Sequence, residues 1–263
     1  MSEVDLGQQA REHGGSQHLR GYVARPRGAG PWPGVVLLHE AFGADDVMRR
    51  HADRFAGLGY LAVLPDLFTE GGAVRCISAM LRALSAGHGR AFQDIEVSRQ
   101  WLLRQHDCTG QVGVIGFCLG GAFAIATAPR FDVAAPNYGF LPKDLDQAVR
   151  GACPIVASYG GHDRPLRGAA ARLEAALEKA GVPHDVKEYP GAGHCFLNDA
   201  PVGPRLIRVL LKATGGGPYP EAAADAWQRV GEFFARHLAG TEPDTSTSPP
   251  DAASTHPATA EHS

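Results

Sequence analysis

The stretch Val112-Gly-Val-Ile-Gly-Phe-Cys118-Leu-Gly-Gly-Ala constrains this chain more than any other. A β-branched run ends in Gly-x-Cys-x-Gly and passes without a linker into residues of helical character. The apex of so tight a turn takes a strained backbone, and side chains two residues to either side would collide with it, so Gly116 and Gly120 are needed there. A strand feeding straight into a helix belongs to a mostly parallel sheet whose crossovers run over its faces. The N-terminus of that helix lies beneath the Cys118 sulfur, where its partial positive charge favours an anionic sulfur.

The rest of the chain repeats the alternation. Short runs between the helical stretches, most of them β-branched and apolar, predict strands at 35–39, 61–64, 112–115, 133–138, 155–159 and 185–189, and residues 18–24 read as an antiparallel edge strand. Helical periodicity covers 45–58, 77–86, 91–104, 120–127, 167–180 and 222–238, with Gly59 and Gly181 placed as C-terminal caps. The reading is an α/β fold, a doubly wound sheet with helices on both faces and its sites at the carboxyl ends of the strands.

A single domain at 18–240 suits a chain of 263 residues, since α/β units of this kind commonly run to about 200–250. The polar opening at 1–17 reads as flexible. The Ser, Thr, Pro and Ala stretch at 241–263 has no apolar periodicity and reads as a disordered tail.

Charge and cysteine usage narrow the function classes. A net charge of −3 with scattered Lys and Arg argues against nucleic acid as a partner. No apolar run reaches the roughly 18–20 residues of a membrane span, and the polar start is unlike a secretory signal, so a cytoplasmic protein is expected. The cysteines, Cys76, Cys108, Cys118, Cys153 and Cys195, form no CxxC pair, and their odd number points to free thiols in a reducing compartment. A monomer or small homo-oligomer is expected.

Taken alone, Cys118 reads as core filling, Asp163 as a turn or cap residue before Pro165, and His194 as a loop histidine. Together they fall into a pattern. Asp163 closes Tyr-Gly-Gly-His-Asp after the strand at 155–159, and His194 closes Pro-Gly-Ala-Gly-His after the strand at 185–189. Nucleophile, acid and histidine thus stand in the chain order of an α/β-hydrolase, each just past the end of a strand.

Gly116-Phe-Cys118-Leu-Gly-Gly, Gly161-His-Asp163 and Gly193-His194 resemble the dienelactone hydrolase (carboxymethylenebutenolidase) family. Leu38-His-Glu40-Ala-Phe-Gly43 and Tyr60-Leu-Ala-Val-Leu-Pro-Asp66-Leu strengthen the likeness, which runs from about Val35 to Phe234. The resemblance implies an α/β-hydrolase fold, a Cys118–Asp163–His194 triad, and a Glu40 that touches the thiol and takes part in its activation. It implies attack by Cys118 on a small lactone or ester and a thioester intermediate, with the oxyanion held by the main-chain N–H groups of Leu119 and Ala41. No cofactor is expected, and the spacing around Cys195, His194, Cys118 and His39 matches no zinc pattern.

Two departures bear on the substrate. The family carries an arginine a few residues after the histidine that clamps a substrate carboxylate, and Asn198 stands at that place. An amide cannot reproduce a bidentate guanidinium contact. Asn137-Tyr138-Gly139 occupies a position where the family commonly shows two tyrosines. The candidate substrate contacts are therefore Asn198, Tyr138, Phe42 and Arg82, with Arg75, Arg164, Arg167, Arg205 and Arg208 as further cations. A broader esterase or thioesterase on the same scaffold, and a non-catalytic thiol sensor or binder built on Cys118, are the alternatives.

Overall fold

The structure is a computed structural model that describes residues 2–213 and 215–238; the tail expected at 241–263 lies outside the described residues. Strand β1 (Ser2–Asp5) leads through α1 (Gly7–Glu12) to β2 (Arg20–Ala24), β3 (Trp32–Leu38), α2 (Asp46–Gly57) and β4 (Leu61–Pro65). Helices α3 (Gly72–Ala86) and α4 (Arg90–Leu103) follow, then β5 (Cys108–Phe117), α5 (Leu119–Thr127) and β6 (Val133–Asn137). The chain closes with α6 (Leu145–Ala148), β7 (Ile155–Gly160), α7 (Ala169–Ala180), β8 (His184–Tyr189), α8 (Arg205–Ala213) and α9 (Pro220–Leu238).

Among the described residues the strands form one sheet in the order β1-β2-β4-β3-β5-β6-β7-β8. The pairs from β4 through β3 to β8 are parallel, and β1 and β2 join antiparallel. The sequence expectation of a mostly parallel, helix-covered sheet is met. Strand β5 shows how two faces are served. An added Cβ at Gly113 would meet Phe234 and Leu238 of α9, while one at Gly34, its register neighbour through Val112, would meet Leu102 of α4. Thus α2 and α9 cover one face, joined by Phe55 against Phe234 and Trp227, and α4 and α5 cover the other, joined by Phe92 against Phe123. Strands buried on both faces need apolar residues at every position, which is why 35–38, 61–64 and 133–135 are unbroken runs rather than alternations.

The opening segment differs from the expectation of a flexible lead. Strand β1 pairs with β2, so β2 is not the sheet edge that 18–24 suggested. Leu6 and Ala10 bury with Leu19 and Val97 of α4, and Ser16 donates from its N and Oγ to Asp94 at 2.6 Å each. Burial pushes the Asp94 carboxyl up, and these two donors oppose the shift. A polar, short segment is ordered here by partners far along the chain. Helix α8 was also unforeseen, and α3 starts at Gly72 rather than at 77. No helix among the described residues is long and apolar enough to cross a membrane.

Candidate active site

The turn between β5 and α5 puts Cys118 at φ 54°, ψ −114°. The close packing around it explains both flanking glycines: a Cβ at Gly116 would sit 2.0 Å from Gly120 O, and one at Gly120 would sit 2.1 Å from Leu38 O. The clash is with neighbouring main chain. Cys118 N donates to Asn137 O of β6 at 3.1 Å, which ties the apex to the next strand. Its thiol stands half-buried at the N-terminus of α5.

Asp163 and His194 arrive from the ends of β7 and β8. Their loops are sewn together: Gly161 N donates to Tyr189 O at 2.8 Å and His162 N to Ala192 O at 2.9 Å. His194 Nδ1 lies 2.6 Å from Oδ2 of the buried Asp163, and the thiols of Cys118 and Cys195 lie near enough to the imidazole to act on its protonation. Burial works against a charged imidazole here, yet the bond to Asp163 and the thiol contacts outweigh it, and the His194 pKa is raised well above its ordinary value. The arrangement favours imidazolium.

Glu40 follows β3 and is 1% exposed. Asn198 Nδ2 lies 3.2 Å from each of its carboxylate oxygens, and the Tyr138 hydroxyl donates to Oε1 at 3.1 Å. Burial raises the Glu40 pKa, while His194, Asn198, Cys195 and Tyr138 pull it down. Its backbone is fixed by His39, whose Nδ1 donates to Glu40 O at 2.6 Å and whose Nε2 accepts from Leu67 N at 3.0 Å. A ring that donates at one nitrogen and accepts at the other is neutral, in line with the lowering of its pKa by burial.

Among the described residues, Cys118, Tyr138 (φ 39°) and Cys195 (φ 62°) are the non-glycine residues with positive φ. All three stand around His194: the two thiols lie close enough to influence its ring, and Tyr138 stands edge-on to it with centroids 5.2 Å apart. Such conformations cost about 1–3 kcal/mol each and persist where surrounding structure holds them. Cys195, whose surroundings match no metal pattern, is buried beside His194 and Glu40 and acts on the protonation of both.

The structure thus gathers Cys118, Asp163, His194, Glu40 and Tyr138. Asn198 is 2% exposed and spends its amide on Glu40 and on His51, whose Nε2 lies 3.1 Å from Asn198 Oδ1. Leu119 and Ala41 flank the thiol turn and Glu40 in the chain, and half-buried Phe42 packs its ring against Gly203. Arg82 is exposed on α3 and lines a separate cleft with Met80 and His88. Two clefts flank the site on either side of Leu211. One, of about 360 Å³, is lined by Cys195, Asn198, Val202, Arg205, Arg208 and Lys212. The other, of about 390 Å³, is lined by Phe140, His162, Asp163, Arg164 and His194. No group of three or more His, Cys, Asp or Glu residues among those described is disposed to hold a metal ion.

A doubly wound sheet with a thiol on the turn after β5, a carboxylate after β7 and an imidazole after β8 defines an α/β-hydrolase. The chain belongs to the dienelactone hydrolase family, whose sequence pattern matches residues 19–238. It is 30% identical over 221 residues to a carboxymethylenebutenolidase of Rhodococcus opacus, covering 78% of this chain and 81% of that protein. Among solved structures it resembles a dienelactone hydrolase-like promiscuous phosphotriesterase from metagenomic libraries, with TM-score 0.69 and 22% identity over 83% of this chain and 92% of that one. It also resembles a thermophilic esterase of Thermogutta terrifontis, with TM-score 0.60 and 17% identity over 87% and 90% of the two chains. These structural likenesses speak for the fold, and the family membership makes the chain a hydrolase.

Proposed function

We propose that this chain hydrolyses a small lactone or ester through a thioester on Cys118. The observation that carries the reading is the His194 ring, held by Asp163 at Nδ1 and standing in the neighbourhood of the Cys118 thiol at the head of α5. A raised histidine pKa next to a thiol favours the imidazolium–thiolate pair, which is the reactive form. The thiolate adds to the carbonyl carbon and the π pair moves onto oxygen, where the N–H groups of Leu119 and Ala41 receive it. Collapse expels the alkoxide, which takes the proton from His194. Water then attacks the thioester as His194 removes its proton, and the second collapse returns the thiolate and frees the acid. Asp163 keeps the ring oriented and its charge balanced.

Glu40 sits against this machinery as a buried carboxyl group, which suits the part in thiol activation that the family resemblance implies. The substrate class follows from Asn198. Its amide is engaged by Glu40 and His51, so it offers no guanidinium fork to a carboxylate, and this supports a broader esterase beside the dienelactone reading. The test is turnover of cis-dienelactone beside p-nitrophenyl acetate by the wild type and Cys118→Ala. The expected result is turnover that vanishes in the variant with the fold retained. Activity that survives Cys118→Ala would sink the mechanism, and iodoacetamide labelling of Cys118 without any turnover would favour a thiol sensor.

A further inference from the structure

Two consecutive residues of α2 grip two consecutive residues of the loop after His194. On the outside, Arg50 meets Asp199 through Nε to Oδ2 and Nη2 to Oδ1, 2.6 Å each. On the inside, His51 meets Asn198 at 3.1 Å, both side chains buried. The His51 ring is stacked on Phe117 with centroids 4.9 Å apart and packed against Trp227 at 4.9 Å, so its orientation is set by the core. Its Nε2 faces a carbonyl oxygen and therefore carries the proton. An amide whose oxygen is held by a donor turns its N–H₂ the other way, and for Asn198 the other way is Glu40.

We propose that His51 is a positioning residue of the site: by donating to Asn198 Oδ1 it locks the amide with its N–H₂ on Glu40 and so favours the ionised form of that carboxyl beside His194. The inference rests on the hydrolytic reading above for its consequence in catalysis, and on geometry alone for its effect on Glu40. A flipped Asn198 would present an oxygen to the carboxylate, replacing attraction by repulsion in a buried place. The groups that face Glu40 are His194, Asn198, Cys195 and Tyr138, and burial is the force they oppose. Without the Asn198 donor the balance moves toward the protonated acid. His51 itself is suited to a constant role. Burial lowers its pKa to about 4, against the opposing pull of Asn198 and Asp199 and with help from Arg54 and Arg50, so it stays neutral with one N–H across the working range.

The experiment compares wild type with His51→Phe and His51→Met, which remove the donor, and with His51→Gln, whose amide N–H₂ restores one. Two quantities are read: the pH dependence of kcat/KM for p-nitrophenyl acetate, and the infrared band of a protonated carboxyl, assigned to Glu40 by its absence in Glu40→Gln. The donor-free variants should move both the acid limb and the appearance of the band to higher pH by about one unit, and His51→Gln should return them toward wild type. Thermal unfolding identifies the folded variants, and either donor-free variant suffices if the other does not fold. An unmoved band, or a loss of rate by the same factor at every pH, would mean that His51 is a core residue only. The infrared band needs no turnover, so it decides the role of His51 even if Cys118→Ala were to overturn the hydrolytic reading.

Discussion

His194 Nδ1 lies 2.6 Å from Asp163 Oδ2, and the two loops that carry these residues are themselves joined by His162 N donating to Ala192 O at 2.9 Å. The acid is thus placed by the backbone of the loop it serves. Asp163→Asn should leave this backbone intact while removing the charge that raises the His194 pKa. The expected loss is about 10³–10⁴-fold in kcat. NMR titration of His194 should show its pKa moving down, and an unchanged titration would mean that Asp163 does not hold the imidazolium.

Stability should fall on mild acidification because of His51. An unfolded chain protonates this ring near 6.5, whereas the folded one refuses the proton until about 4. Between those values the unfolded state binds more protons, so stability rises with pH and is lost as pH drops. The full window is worth about 3 kcal/mol for this buried group. Urea midpoints at pH 7 and pH 5 should differ in the wild type, and His51→Phe should flatten that dependence.

Gly116→Ala tests the turn without touching the thiol. Its Cβ would lie 2.0 Å from a main-chain oxygen of Gly120, which cannot give way without moving the start of α5. A cost of at least about 3 kcal/mol is expected, with loss of turnover in whatever fraction folds. Normal activity and an unchanged urea midpoint would show that the turn tolerates a side chain.

The parts of this site that were legible in sequence are those whose constraint is local. Gly116 and Gly120 announce the turn because no other residue fits there, Asp163 follows an apolar run that ends at Gly160, and His194 closes the glycine-bearing Pro-Gly-Ala-Gly-His after β8. Gly181 caps α7 in the left-handed conformation that glycine favours. Other features depend on partners far along the chain. His51 and Asn198 are 147 residues apart, and Ser16 and Asp94 are 78 apart, so neither pairing leaves a periodic trace. The same holds for β1, whose Ser-Glu-Val-Asp has strand character only once β2 supplies a partner. Asn198 could be recognised as a departure from a family pattern, but its use as a bridge between His51 and Glu40 is a property of the packed loop.

The preference for anionic substrates should be modest, and magnitude decides this. The cleft beside Asn198 draws its cations, Arg205, Arg208 and Lys212, from α8, where all three are exposed. Arg208 already donates from Nε to Gly203 O at 2.6 Å and serves the loop. Exposed cations contribute about 1 kcal/mol or less each, and salt screens them, whereas a buried guanidinium fork would give considerably more. Relative kcat/KM for an ester bearing a terminal carboxylate over its neutral analogue should therefore stay within about tenfold at physiological salt. It should fall with added salt and drop a few-fold in Arg205→Gln or Lys212→Gln, while the neutral ester is unaffected. A preference of a thousandfold that survives high salt would require a buried cation at the substrate, contrary to the place Asn198 occupies against Glu40.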